Sequence, residues 1–223
     1  MKHTILAFTS LFLASFANAQ TAPTQSEVAA YDGLLLAAHR GDVSEISRLL
    51  ALGADVNLRD TKQRTPAHVA AFASQDAALR VLAEAGAEMN ALENRAYDVV
   101  TIAAVADDPE LMSLAIELGN NPGLTTSPYQ GTVLIAAAHL GHVDVVRRLI
   151  AAGAPLDHVN NLHWTAVIEA VVLGSGGPNH QAVLKALLDA GADRNLSDRD
   201  GITPLQHAQS RGYTAMIKML SEP

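Results

Sequence analysis

The chain has 223 residues, 49% hydrophobic and 17% charged, with 15 Lys and Arg against 23 Asp and Glu. That length and composition specify a globular chain with a sizeable core, and a formal charge of −8 speaks against a nucleic-acid partner, which needs a basic footprint. The absence of cysteine excludes disulfides, thiolate nucleophiles, zinc–thiolate sites and iron–sulfur clusters, while nine histidines leave a His/carboxylate metal site open to test.

The first element in chain order is a leader. Lys2 supplies a positive start, Ile5 to Ala17 is an apolar run, and Ala17-Asn18-Ala19 has the small-x-small pattern of a signal-peptidase site. The run is too short for a bilayer, which needs about 20 residues. Residues 1–19 are therefore read as a signal peptide, with cleavage near Ala19. Removing it takes away Lys2 and no acid, so the formal charge moves from −8 to −9. No cysteine follows to carry a lipid, and no later run approaches membrane length. A chain that is exported, periplasmic or secreted from a bacterium, and free of a membrane span is expected. Residues 20–31 read as a polar lead-in.

From residue 32 onward the chain repeats itself. Gly53-Ala54-Asp55, Gly86-Ala87-Glu88, Gly119-Asn120-Asn121, Gly153-Ala154-Pro155 and Gly191-Ala192-Asp193 place glycines 33, 33, 34 and 38 apart. A second landmark, Asp32, Thr65, Asp98, Thr132, Thr165 and Thr203, keeps the same period. Thr65-Pro66 and Thr203-Pro204 put a capping hydroxyl before a proline at the first helical position. Small or apolar residues follow, and Gly41, Gly141, Gly174 and Gly212 then break this first helix. The second helix carries apolar pairs at helical spacing: Val145, Val146, Leu149 and Ile150 in the fourth repeat, Val183, Leu184, Leu187 and Leu188 in the fifth. It ends at the glycine of Gly-Ala-Asp, a left-handed cap.

Thr65-Pro66-Ala67-His68, Ala137-Ala138-His139-Leu140-Gly141-His142 and Gly191-Ala192-Asp193-Arg194-Asn195 resemble the ankyrin repeat. Tyr129-x-Gly131-Thr132, Trp164-Thr165-Ala166 and a Gly-Gly-Pro insertion are similar to small exported bacterial ankyrin proteins. The resemblance covers residues 32–223. It implies an all-α solenoid of about six helix-turn-helix repeats, near 32–60, 61–93, 94–129, 130–161, 162–199 and 200–223, joined by short β-hairpin-like turns. It also implies that His68 holds hydrogen bonds between neighbouring repeats. The third repeat, with Asp98-Val99-Val100-Thr101 and Asn120-Asn121 in place of the motif residues, is expected to be the weakest.

The sequence offers little for catalysis. No His-Glu-x-x-His is present, and no acidic cluster accompanies His139 and His142, so neither a metal nor a cofactor is expected. Ser175 lies among glycines near His180, which admits a small hydrolase using residues 174–180 as a remote alternative. The spacing of 38 explains this segment better: Gly174 and His180 align with Gly141 and His142, leaving Ser175 to Asn179 as an inter-helix insertion. Such a loop is either a flexible connection or a partner contact. Asn195-Leu196-Ser197 matches a glycosylation acceptor, but Asn195 recurs with Asn57 and Asn90, as a turn residue does.

The expected function is thus non-catalytic: binding one partner protein, as a monomer. In the ankyrin family the concave face is formed by turn tips and by two positions near the end of each first helix. Carried over, these are His39 and Arg40, Phe72 and Ala73, Val105 and Ala106, His139 and Leu140, Val172 and Leu173, and Ser210 and Arg211. Aromatic residues are scarce after residue 19: Tyr31, Phe72, Tyr97, Tyr129, Trp164 and Tyr213. Four of them fall at middle tips or concave positions, and interface energy concentrates in aromatic anchors. Phe72, Tyr97, Leu140, Trp164, Leu173 and Tyr129 are therefore the expected partner-binding residues, with Arg64, Arg95 and His163 as rim groups. The narrower resemblance also admits support of a periplasmic enzyme in protection against peroxide.

Overall fold

The structure is a computed structural model and describes residues 22–222. The leader and its cleavage site lie outside these residues. The described residues divide into two compact bodies, 22–121 and 122–222.

The first body contains α1 (Gln25–Ala30), α2 (Gly33–Arg40), α3 (Val43–Ala51), α4 (Pro66–Phe72), α5 (Asp76–Glu84), α6 (Val99–Val105) and α7 (Pro109–Glu117). The second contains the strands β1 (Thr125–Thr126) and β2 (Gly131–Thr132), then α8 (Val133–Leu140), α9 (Val143–Ala151), α10 (Ala166–Val172), α11 (Pro178–Asp189), α12 (Pro204–Arg211) and α13 (Thr214–Ser221). The strands pair antiparallel, with Thr125 opposite Thr132 and Thr126 opposite Gly131.

Inner helices stack on inner helices in each body: α2 on α4 and α4 on α6, then α8 on α10 and α10 on α12. Ala37-Ala38, Ala70-Ala71, Ala103-Ala104 and Ala137-Ala138 lie in these contacts and are all buried. Their small side chains let the backbones approach. Outer helices close the layer, α3 on α5 and α9 on α11. Each contributes a stripe at helical spacing, such as Val145, Val146 and Leu149, or Val183, Leu184 and Leu187. Fully covering one such side chain stabilises by about 1.5–3 kcal/mol, and in both bodies the cover comes from the neighbouring repeat as well as from the same one.

The recurring Thr or Asp explains where the inner helices begin. Thr65, Asp98, Thr165 and Thr203 each accept the backbone N–H three residues on, satisfying one orphan donor of the first turn. Thr132 departs from this: it makes no capping bond and instead lies in β2. The glycines of the Gly-Ala-Asp phrase have φ from +78° to +98°, the left-handed stop at the end of each outer helix. Gly174 differs from the other inner-helix breakers. Its φ is not left-handed, and an added Cβ would collide with the Ala170 carbonyl oxygen, so it is there for close approach.

A third landmark emerges only in the fold. Asp60, Glu93, Ser127, Asn160 and Asp198 open the turn tips, and each side chain accepts two backbone N–H groups, two and four residues on. Gln63, Ala96, Gln130, His163 and Gly201 hold the left-handed corner, with φ between +55° and +74°. Neighbouring tips then bond to one another: Asn94 N–H donates to the Lys62 carbonyl at 3.0 Å and Asn161 N–H to the Tyr129 carbonyl at 2.9 Å.

The insertion lies within the packing. α11 starts at Pro178, so it runs for twelve residues where α9 has nine, and His180 falls in its first turn. Gln181 Nε2 donates to the Gly176 carbonyl at 2.7 Å, and Tyr213 Oη donates to the Gly174 carbonyl at 3.2 Å.

Candidate binding face

The residues expected to meet a partner divide into two groups. Tyr129, Leu140, Trp164 and Leu173 in the second body, and Phe72 in the first, are half-buried. Tyr97 is a correction. It is 2% exposed, its N–H donates to Glu93 and its carbonyl accepts from His68, so it is core between repeats and not a surface anchor. Arg64, expected at a rim, is likewise buried. It lies 2.7 Å from Asp60 and 2.9 Å from Glu27, because a guanidinium taken out of water requires carboxylates around it. Arg95 and His163, the other expected rim groups, are exposed.

In the second body Leu140 ends α8 and Leu173 caps α10, at equivalent positions on neighbouring helices. Trp164 and Tyr129 occupy tips whose backbones are held by Asn160 and Ser127. Two apolar side chains near these tips are more open: Val159 is 46% exposed and Ile202 37%. Val159 escaped the sequence reading, which gathered the aromatic residues at the tips and two positions near the end of each inner helix. Its signal was a valine where the tip position of the second repeat carries Arg59.

His139 and Val172, carried over as concave positions, are buried. His139 Nδ1 donates to Glu169 Oε2 at 3.1 Å, and Asn160 Nδ2 reaches Glu169 Oε1 at 3.4 Å. Burial pushes the Glu169 carboxyl above the ordinary range, while the bonds from His139 and Asn160 oppose that rise. The network ties two inner helices and one tip together.

Two more polar clusters serve the stack. His68 Nδ1 accepts from the Thr65 N–H at 3.2 Å, which leaves Nε2 to donate to the Tyr97 carbonyl, also at 3.2 Å. Burial pushes the His68 imidazole down to about 4, so it stays neutral. In the third repeat the two departures from the motif meet. Asn120 Oδ1 accepts the Val100 N–H at 2.9 Å, and its Nδ2 donates to Asp98 Oδ2 at 2.8 Å. The repeated asparagines bridge repeats: Asn57 accepts the Glu88 N–H and Asn90 accepts the Asn121 N–H.

Ser175 Oγ lies 3.4 Å from His180 Nδ1. His180 Nε2 is oriented by the His139 carbonyl at 2.9 Å, where a serine–histidine–acid site would place a carboxylate. The serine oxygen already accepts the Gly177 N–H. The pair closes a loop. Among the described residues no group of three His, Asp or Glu could hold a metal ion, and no helix is long and apolar enough to cross a membrane.

A family model for ankyrin repeats, in three copies, matches residues 100–198. The ankyrin repeat protein YahD of Escherichia coli K12 is 34% identical over 188 residues, spanning 83% of this chain and 92% of that protein. The chain belongs to the ankyrin repeat family. A crystal structure of an ankyrin repeat domain from Acinetobacter baumannii AYE is 42% identical, covers 84% of this chain and 95% of its own, and superimposes with a TM-score of 0.79. The ankyrin repeat protein EF0377 is 29% identical, with coverages of 86% and 98% and a TM-score of 0.78. The fold is the all-α ankyrin fold, and the chain carries a protein–protein interaction module. In this ankyrin chain the periodic polar residues, from Asp60 to Asn120, are consumed by caps and bridges. At the tips, Val159 and Ile202 instead present exposed apolar side chains.

Proposed function

We propose that this ankyrin protein acts in the periplasm as a non-catalytic module that holds one partner protein on the tips and inner-helix ends of its second body. The supporting observation is the cluster of Tyr129, Trp164, Val159 and Ile202 at tips whose backbones are fixed by Ser127, Asn160 and Asp198. Rigidly presented aromatic and aliphatic groups lose little entropy on docking. Leu140 and Leu173 extend this surface along the inner helices, and His163 and Arg199 stand beside it. Phe72 offers a separate contact on the first body.

The periplasmic assignment rests on Lys2, the apolar run and Ala17-Asn18-Ala19. Mass spectrometry of the protein from an osmotic-shock fraction should find a chain that begins at Gln20. Wild-type protein should capture a discrete partner from that fraction. Trp164→Ala, and Leu140→Asp combined with Leu173→Asp, should abolish capture with helical circular dichroism intact. Undiminished capture by both variants refutes the face, and loss of helicity would assign the residues to the core.

A further inference from the structure

The short helix that precedes the first repeat divides its residues between two faces. Glu27 and Tyr31, four apart, turn toward the second repeat. Glu27 Oε1 pairs with the Arg64 guanidinium at 2.9 Å, and Tyr31 Oη donates to Asp60 Oδ2 at 2.7 Å. Burial and that carboxylate push the Tyr31 phenol well above its ordinary range, so the donor is always protonated. A Thr24–Glu27 capping box secures the start of α1. The helix is therefore pinned at both ends.

Its other face is free to do something else. Gln25, Val28 and Ala29 follow the three-and-four spacing of a helical stripe. Opposite stand Leu36, His39 and Arg40, the same spacing on α2, whose remaining apolar residues Leu34, Leu35, Ala37 and Ala38 are buried in the stack. The two stripes, closed by Pro23 and the Tyr31 ring, line a groove of about 540 Å³.

The chemistry of this groove is lopsided. Its floor is apolar and its rim holds Gln25, His39 and Arg40. Residues 22–121 contain fifteen Asp and Glu against seven Lys and Arg, yet no carboxylate lines the groove. Arg48, Arg64 and Arg80 are each matched to carboxylates. Arg40 is exposed and forms no ion pair among the described residues. A cation left over beside an apolar trough, on an otherwise acidic body, complements an anionic and aliphatic ligand.

Gln25, Ala29 and Arg40 are exposed, so the groove is open along its rim. Small-molecule sites enclose about 70–90% of their ligand, which this shape does not do. A chain segment needs only one covered face. We propose that the groove binds an acidic segment of a partner protein, with an aliphatic side chain on Val28 and Leu36 and a carboxylate at Arg40. This rests on the reading of the chain as a binding module and adds a second contact, on the first body.

The test uses the purified protein and three fluorescein-labelled peptides, Gly-Leu-Glu-Leu-Glu-Leu-Gly and its counterparts with Gln or Lys in place of Glu. Fluorescence anisotropy should rank them Glu, then Gln, then Lys, with the preference for Glu over Lys weakening as salt is added. Arg40→Glu, an exposed change that leaves the core intact, should reverse the Glu–Lys order, a swing of about tenfold. Val28→Ser, which removes the aliphatic contact without adding charge, should weaken all three peptides. Equal affinity for the three, no binding of any, or an unchanged order in Arg40→Glu overturns the proposal. Partner capture through Trp164 is read separately. A failed peptide ranking with capture retained removes the groove alone, and failed capture with the ranking retained removes the tip face alone.

Discussion

His68 makes the stability of the first body depend on pH in a way that one substitution can isolate. Its imidazole is 1% exposed, held between the Thr65 cap and the Tyr97 carbonyl, and burial pushes it down to about 4 from an ordinary 6.5. The folded state therefore prefers neutral His68. Below pH 6.5 the unfolded chain takes up a proton that the folded chain refuses until about pH 4, so stability is lost as pH falls through that window. Two and a half pH units at 1.36 kcal/mol each correspond to about 3 kcal/mol, of which about 2 kcal/mol is gone by pH 5. Glu93, Asp98 and Glu169 work the other way: burial raises each of these carboxyls, so they favour the folded state more as pH falls through their folded values. Their opposition masks the histidine in a simple acid titration. The assay is therefore a difference: urea unfolding of wild type and of His68→Gln at pH 7.5 and pH 5. The glutamine removes the titration, so the wild type should lose about 2 kcal/mol more than the variant over that interval. Equal losses in the two proteins would show that His68 titrates normally and that the buried neutral imidazole is wrong.

Other perturbations follow from the same packing. Glu169→Ala strands His139 and Asn160 in the second body and should cost about 3 kcal/mol in urea unfolding, whereas Glu169→Leu together with His139→Leu should recover most of that loss; a double variant no better than the single one refutes the network. Gly174→Ala drives a methyl group into the Ala170 carbonyl and the His180 ring, and a thermal melt should register a loss of about 1–3 kcal/mol. An unchanged melting temperature would mean that this inner-helix end is not tightly packed.

The proposed face and the proposed groove differ in how far the sequence points to them. Trp164, Leu140 and Leu173 enter the proposed face by carrying positions along the repeat, since a period of 33 residues transfers a location as well as a fold. Tyr97 shows where that transfer stops. It occupies the same tip position as Trp164, yet the tip opened by Glu93 turns it inward, where the imidazole of His68 meets its carbonyl. Val159 was missed because no landmark pointed to it. The groove was missed for a different reason: its walls, α1 and α2, are read separately as a lead-in and a repeat, and only their anchoring through Arg64 and Asp60 sets them face to face.

Period, caps and left-handed glycines are local properties. Thr65, Asp98, Thr165, Thr203 and the Gly-Ala-Asp glycines act on backbone within a few residues, so the order of residues alone determined the helix pairs and their number. Burial is not local. Whether His139 faces a partner or Glu169, and whether Arg64 rims a surface or lies beneath Glu27, depends on which side chains another repeat brings within about 3 Å, the reach of a hydrogen bond. Those choices were made by the tertiary structure, because the cost of taking a charge or a ring out of water is decided by what surrounds it.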